Sequence, residues 1–505
     1  MRAERVARLL MVAALAVSSA ACARMFDSYD VAPSGLVRGE EHLRSMLGAG
    51  QAAVVLDGFG TAYTAPDDDV LHALYEGVLA YYAGDYARSA AVLDAAAYAA
   101  DDRVTKSISR SAMSLVSNDR VLPYEPGRTE RLMLPYYAAL ARLRLGDYDG
   151  AAVEARRLSA LLQQYRDDGA AVDPALAGAL RYVAGAIFES SGNTVDADVA
   201  YRNALALDSS LVVTGAARGA GSVVVILEQG FVAHRVEQAL AVMLLPEEID
   251  AIAHGDGDEK VEAAGYVAGR IVQHASYASR DLYDRGPFHR GSLYVPAPDH
   301  TPLKRRRRVE CTTVAQSAPD TAAVLQQVSN APARTERHCE EKDDDDDGLP
   351  YLLKVAWPVY RTDSRPLDAR VMAGTDTVAF FRAADVSRGV VADFESERAL
   401  VLARTIARGT AKLALTKSAE RKLEEKSEAA GRIIGLLGNI GNVLLERADT
   451  RSWHLLPAGI SLVRLDLPAG EHDVQVEVGA GRPLSLGRVV VHAGALTIVP
   501  ARSWQ

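Results

Sequence analysis

One stretch of the sequence gathers the residue types that polar catalysis uses: Asp449-Thr450-Arg451-Ser452-Trp453-His454, followed by Leu456-Pro457. A carboxylate, a guanidinium, a hydroxyl and an imidazole can together form a polar site, and an exposed Trp453 can stack on a sugar or a peptide. Neighbours on an extended chain point to opposite faces, however, so these side chains cannot converge as a triad. The competing reading is structural: Asp449 pairs with Arg451, Trp453 fills a core, and the segment joins a Gly-rich helix to a β domain. The sequence contains no G-x-S-x-G, H-E-x-x-H, G-x-x-x-x-G-K-[ST] or C-x-x-C, and its 11 histidines are scattered. No catalytic residue, metal site or cofactor is therefore assigned.

The elements that would position such a patch belong to a chain of 505 residues, 49% hydrophobic and 24% charged, with a net charge of −10. So much apolar side chain excludes a disordered chain or a small disulfide scaffold and is enough for two or three domains. The acidic balance argues against nucleic acid as a partner, because such affinity rests on neutralising phosphates. Gly219-Ala220-Gly221 precedes an apolar run instead of following a strand, which argues against a dinucleotide loop. Asp343 to Asp347 lack the spaced ligands and internal glycine of a calcium loop.

At the N-terminus, Arg2, Arg5 and Arg8 precede an apolar run from Leu9 to Val17 and then Ser19-Ala20-Ala21-Cys22. This is the order of an export signal, and the run is too short to span a bilayer. The small residues before Cys22 resemble the lipobox of bacterial lipoproteins, although Ser19 stands where that family usually has Leu. The resemblance implies cleavage after residue 21, acylation of Cys22 and a lipid anchor in the cell envelope, on the periplasmic side of the outer membrane rather than at the inner membrane. An ordinary cleaved signal is the alternative. Cys311 and Cys339 would then be the remaining cysteines, in a compartment where disulfides persist. They are either bridged, which is worth roughly 3 kcal/mol in the chain-entropy model, or separately buried or unpaired.

Residues 22–66 read as a tether. From 67 to 210 the chain is rich in Ala, Leu and Tyr and repeats one pattern three times. Gly84-Asp85-Tyr86, Gly146-Asp147-Tyr148 and Gly192-Asn193-Thr194 are turns. Gly77, Ala139 and Gly185 stand before them, and Ser89, Ala151 and Ala197 after them. Leu93, Ala155 and Tyr201 follow, then Ala96, Leu158 and Ala204. Glycine supplies the left-handed residue that ends a helix, and small residues allow close helix packing, so each unit reads as a helical hairpin. Asp173-Pro174 reads as an N-cap and first helical residue. The third unit, through Gly185, Gly192, Ala197, Tyr201 and Ala204, resembles tetratricopeptide repeats, with spacing longer than regular arrays.

Residues 211–505 read as a mixed β domain. Val223 to Leu227 is a continuous apolar run, Leu352 to Val359 and Val378 to Phe381 read as strands, and Val463 to Leu467 and Val474 to Val478 alternate. Arg488 to His492 and Ala495 to Val499 suggest a final hairpin around Gly494, closing a small antiparallel sandwich. A polar insertion at about 255–347 reads as a solvated loop carrying the basic run Lys304 to Arg308 and the acidic run Asp343 to Asp347. The two runs either pair weakly or leave the basic one for anionic headgroups. Helices are expected at about 393–447, with Leu402, Ile406 and Leu413 on one face, ending in a segment punctuated by Gly431, Gly435, Gly438 and Gly441. The stretch Ala448 to Trp453 with Leu456-Pro457, Arg464, Leu467 to Gly470, Val223 to Val225 and Gly230 resembles an uncharacterised family of bacterial lipoproteins with repeat-like N-terminal helices.

The expected architecture is therefore α+β and multidomain: an N-terminal α-helical TPR-like solenoid followed by a C-terminal β-sandwich-like domain with inserted helices. The expected function is a non-enzymatic, membrane-anchored envelope scaffold or adaptor that binds a protein partner through its helical repeats. The alternative is an envelope enzyme or binding protein acting on glycan or peptide through residues 449–454.

Overall fold

A computed structural model describes residues 35–62, 69–106, 123–170, 172–213, 218–285, 294–295, 307–315, 335–343, 351–374, 376–381, 384–424 and 446–504. Cys22, the signal segment and the Gly-rich stretch at 429–445 lie outside the described residues. Helices α1 (Gly35–Gly48), α2 (Ala52–Ala62), α3 (Asp69–Ala83), α4 (Tyr86–Lys106), α5 (Arg128–Arg144), α6 (Tyr148–Asp167), α7 (Pro174–Ser190) and α8 (Thr194–Leu207) form an N-terminal helical region in which each packs on the next.

The repeated turn has a double function. Gly84, Gly146 and Gly192 take φ of 83°, 76° and 78°, left-handed values that residues with a Cβ rarely adopt. The residue after each glycine donates its N–H back across the turn: Asp85 to the Ala80 carbonyl at 2.9 Å, Asp147 to Arg142 at 2.9 Å and Asn193 to Phe188 at 2.8 Å. The side chain of that same residue caps the following helix, accepting from the N–H of Arg88, Gly150 and Asp196 respectively. The small residues before the turns act sterically. A Cβ on Gly77 would stand 2.5 Å from Leu93 Cδ2, and one on Gly185 would stand 2.8 Å from the Tyr201 ring. Ala139, Ala151, Ala155, Ala197 and Ala204 are buried. Asp173 caps α7 through the N–H groups of Ala175 and Leu176, with Pro174 opening the helix.

The remaining elements are β1 (Ala220–Gln229), β2 (His234–Leu244), α9 (Pro246–His254), α10 (Gly257–Arg285), β3 (Tyr294–Val295), β4 (Arg307–Ala315), β5 (Thr335–Asp343), β6 (Tyr351–Arg361), β7 (Ala369–Ala373), β8 (Asp376–Ala379), β9 (Ala384–Asp385), α11 (Val386–Glu424), β10 (Gly459–Pro468), β11 (Gly470–Val478), β12 (Leu484–Val491) and β13 (Leu496–Ser503). The chain is thus mixed α+β, with helices first and most strands later. It divides into two compact units, one of Met1–Gln238, Ala356–Thr405 and Arg447–Gln505, the other of Ala239–Val355 and Ile406–Glu446. The helical region and the last four strands belong to the same unit.

Within the first unit, strands order as β13-β1-β10-β9 in one sheet and β12-β11-β7-β8 in another. Val223, Val225 and Leu227 of β1 and Val463, Leu465 and Leu467 of β10 share a core with Val474, Val476 and Val489 of the other sheet. The alternate residues, Val224, Ile226, Ile460 and Leu462, join the core of the helical region. Burial on both faces explains why β1 reads as an unbroken apolar run instead of an alternating one.

Two expectations about the C-terminal strands need correction. β12 and β13 do not form a hairpin: β12 pairs antiparallel with β11, whereas β13 pairs parallel with β1, so the chain changes sheets at Gly494. The sheets are consequently not wholly antiparallel. The turn at Pro468-Ala469-Gly470 likewise carries the chain from one sheet to the other.

In the second unit, part of the expected solvated loop is helix. Ala263, Val267 and Ile271 on α10 are buried, a spacing of four that fits one helix face. Gly265 and Gly269 and the flanking charges obscure that face in the sequence. A ribbon of β4 and β5 occupies another part of the segment. Arg408 and Lys412 of α11 close on the Glu446 carboxylate at 2.7 and 2.8 Å. Among the described residues no helix is long and apolar enough to cross a membrane.

Candidate functional site

The segment 449–456 lies within the first unit, against the first helices of the helical pairs, and its polar side chains are engaged in packing. Asp449 and Arg451 form a bidentate pair, with Arg451 Nε to Oδ1 at 2.8 Å and Nη2 to Oδ2 at 2.7 Å. The Arg451 guanidinium also lies 5.9 Å from the Tyr124 ring centroid. Trp453 is 0% exposed and its ring lies 6.2 Å from that of Tyr137. His454 is buried, with ring centroids of Tyr75 and His234 at 6.2 and 5.4 Å. Asp449, Arg451 and His454 therefore do not gather around one reacting position.

The backbone of the segment is held by side chains from the helices. Glu130 of α5 accepts the Trp453 N–H on Oε1 at 2.8 Å, while its Oε2 accepts the Gly127 N–H at 3.0 Å and the Tyr124 hydroxyl. Tyr75 of α3 donates to the Ser452 carbonyl at 3.1 Å and accepts the His454 N–H at 3.3 Å. Tyr82 donates to the Leu455 carbonyl at 3.1 Å, and its hydroxyl meets that of Tyr137 at 2.8 Å. From the strand side, the Arg235 N–H donates to Ser452 Oγ at 3.3 Å. A non-helical stretch of the chain, turning at 454–455, thus sits on the helices through main-chain hydrogen bonds and one aromatic anchor.

Beside this segment is a recess lined by Arg128, Glu130, Arg235, Tyr360, Asp393, Phe394 and Glu397 among others. Its cavity volume is about 30 Å³, room for roughly two waters and well short of the ~300 Å³ at which small-molecule sites begin. Arg235 donates to the Tyr360 hydroxyl at 3.0 Å and lies over the Tyr360 and Phe394 rings. Burial alone would make that guanidinium easier to deprotonate, but Tyr360, Tyr124, Glu130 and Asp449 outweigh it and hold the charge firmly. Burial lifts the Asp393 carboxyl above its ordinary range, against hydrogen bonds from Thr129 and Arg128.

Two buried polar groups have partners that the sequence reading did not assign. Arg464, facing the helices from β10, donates two 2.8 Å bonds to Glu189 of α7 and one of 3.0 Å to Ser222. Tyr201 of α8 donates to the same Glu189 at 2.7 Å. Glu228, at the end of β1, stands beside Arg502 in the β13 register and among Tyr81, Tyr82, Tyr136 and Tyr137. Burial raises the Glu228 carboxyl above its usual range, and Arg502, Tyr137 and Tyr136 oppose that rise. Its Oε1 has no hydrogen-bond donor among the described residues. The only sequence signals for this cluster are the doublets Tyr81-Tyr82 and Tyr136-Tyr137 and a carboxylate ending an apolar run.

Other nominated residues are more peripheral. The Tyr86 hydroxyl accepts from Arg144 at 3.0 Å, and Tyr148 is exposed. Cys311 and Cys339 are Cα partners across the β4–β5 ribbon. Among the described residues no group of three or more His, Cys, Asp and Glu is arranged to hold a metal. Comparison with family models, curated proteins and solved structures finds no match for the chain.

Proposed function

We propose that this protein is a non-enzymatic, lipid-anchored envelope lipoprotein whose TPR-like helical region binds a protein partner through its second helices. The supporting observation is the distribution of exposed apolar side chains. Tyr98 on α4 and Val195 on α8 are each 73% exposed, and Val153 on α6 is 57% exposed. The Arg156 to Asp196 ion pair at 3.4 Å brings the Val153 and Val195 neighbourhoods together. Apolar side chains exposed on successive second helices offer a partner apolar contacts, and that is what supports this reading. The first-helix face is already covered by residues 451–456, so a partner is not sought there. The polar groups of 449–454 are engaged in packing, and no chemistry is assigned to them.

Removing residues 61–210 would strip the packing from Trp453 and unfold the unit, so point changes are the better test. Tyr98→Glu, Val153→Glu and Val195→Glu together leave the core untouched. Crosslinking from intact cells is expected to recover a partner with the wild type and to lose it with the triple variant. Equal recovery by both would remove the helical surface from the proposal. The anchor is tested separately: Cys22→Ser is expected to abolish incorporation of labelled fatty acid, and continued incorporation would refute it.

A further inference from the structure

By residue type, the cross-strand pairs of the β4–β5 ribbon favour pairing weakly. Its register pairs Arg307 with Asp343, Arg308 with Lys342, Val309 with Glu341, Glu310 with Glu340, Thr312 with His338, Thr313 with Arg337, Val314 with Glu336 and Ala315 with Thr335. None of these pairs is apolar on both strands, and two of them oppose like charges, which disfavours pairing. A two-stranded ribbon without an apolar face is marginal in water even with a tight turn. Here the strands are separated in sequence by residues 316–334, and the entropy cost of bringing two strands together rises with that separation. The one pair left is Cys311 with Cys339, directly opposite each other. Opposed residues of antiparallel strands have Cα atoms about 4.5–5.5 Å apart, inside the span of about 4.4–6.8 Å that a disulfide bridges.

We propose that Cys311 and Cys339 form an intramolecular cross-strand disulfide, and that this bond is the covalent staple holding the ribbon in register. The inference rests on the export reading only for its oxidant, an oxidising thiol–disulfide exchange protein. One cysteine thiolate attacks a sulfur of the oxidant's disulfide and displaces the other sulfur as a thiolate. The second cysteine thiolate then attacks the mixed disulfide. Two thiols of this chain become one disulfide, their two protons go to solvent or to the released thiolates, and the oxidant's disulfide is reduced to two thiols. The staple also fixes Arg307, from the basic run, opposite Asp343, from the acidic run.

The test uses the full chain recovered from exporting cells, quenched in acid and alkylated under denaturant before any reductant is added. Peptide mapping reads Cys311 and Cys339 directly, so the state of Cys22 does not enter. The expected result is a single linked peptide pair from one chain, two hydrogens lighter than the two free peptides together. Recovery of both as alkylated thiols, or linkage between copies, would overturn the proposal. Amide exchange in 307–315 and 335–343 reports the staple itself. Reduction, or Cys311→Ser with Cys339→Ser, is expected to speed exchange there at least about tenfold while the sheet containing β1 and β10 keeps its protection. A linked pair whose reduction leaves ribbon exchange unchanged would refute the staple.

Discussion

The Arg464–Glu189 pair offers a measurable test of how the sheet and the helices of the first unit are joined. Arg464 keeps 3% side-chain exposure and Glu189 keeps 28%, so the two ends of the pair differ in how far water can replace a lost partner. Glu189→Leu leaves a deeply buried guanidinium without its counter-ion, a loss in the range of about 3–5 kcal/mol. Arg464→Met leaves a carboxylate that retains some hydration and the 2.7 Å bond from Tyr201, and is expected to cost less, about 2–3 kcal/mol. The double variant replaces both charges by apolar groups and is expected to be more stable than Glu189→Leu alone, giving a coupling of at least about 2 kcal/mol. Urea titration followed by tryptophan fluorescence suits the measurement, since Trp357, Trp453 and Trp504, the chain's 3 tryptophans, all belong to the first unit.

The pair also predicts a pH dependence. Burial pushes the Glu189 carboxyl up, but hydrogen bonds from Arg464 and Tyr201 and the Arg464 charge outweigh it, and the net direction is downward from 4.5. A carboxyl held lower in the folded state contributes stability above pH 4.5 and loses it as pH falls through the folded pKa. The gap between wild type and Glu189→Leu should therefore narrow below about pH 4.5. Single variants that each cost under about 1 kcal/mol, or a double variant equal to their sum, would refute the reasoning.

Three further outcomes follow from packing and burial. Gly185→Ala puts a Cβ 2.8 Å from the Tyr201 ring, a ring tied to Glu189, so overpacking of about 1–3 kcal/mol should exceed the ~1 kcal/mol helix preference of alanine; a rise in thermal midpoint would contradict this. Glu228→Gln should gain on the wild type as pH rises above 4.5, because the raised carboxyl pKa makes ionisation costly in the folded state; a loss at pH 8 would mean that Arg502 holds an ionised Glu228. Trp453→Ala removes a side chain with 0% exposure and should cost about 3–5 kcal/mol by urea titration followed by circular dichroism, whereas a loss under about 1 kcal/mol would mean the segment is not anchored there.

The legible parts of the fold are those whose cause is local. The Gly-Asp and Gly-Asn turns at 84–85, 146–147 and 192–193 are readable because a left-handed residue and a side-chain cap involve positions only a few residues apart. The Asp173-Pro174 helix start and the alternation in Val474 to Val478 are readable for the same reason. The helix face of Ala263, Val267 and Ile271 was hidden by glycines and charges between its members. The 449–454 stretch was legible as a set of residue types but not as an arrangement, since its partners Tyr75, Glu130 and Arg235 lie hundreds of residues away in sequence.

By itself the sequence determined the helical hairpins, the strand segments and the pairing potential of its charges, because φ restrictions, capping and period act within a turn or a strand. Only the tertiary structure decided which sheet each strand joins. The alternation in β12 and β13 suits a hairpin equally well, and the choice of β11 and β1 as partners comes from apolar area buried on both faces of β1 and β10. The same packing decided that Arg464 meets Glu189 and that residues 451–456 cover the helices. An ion pair or a buried tryptophan is fixed by what the opposite layer supplies, and that layer is assembled from residues no local pattern connects.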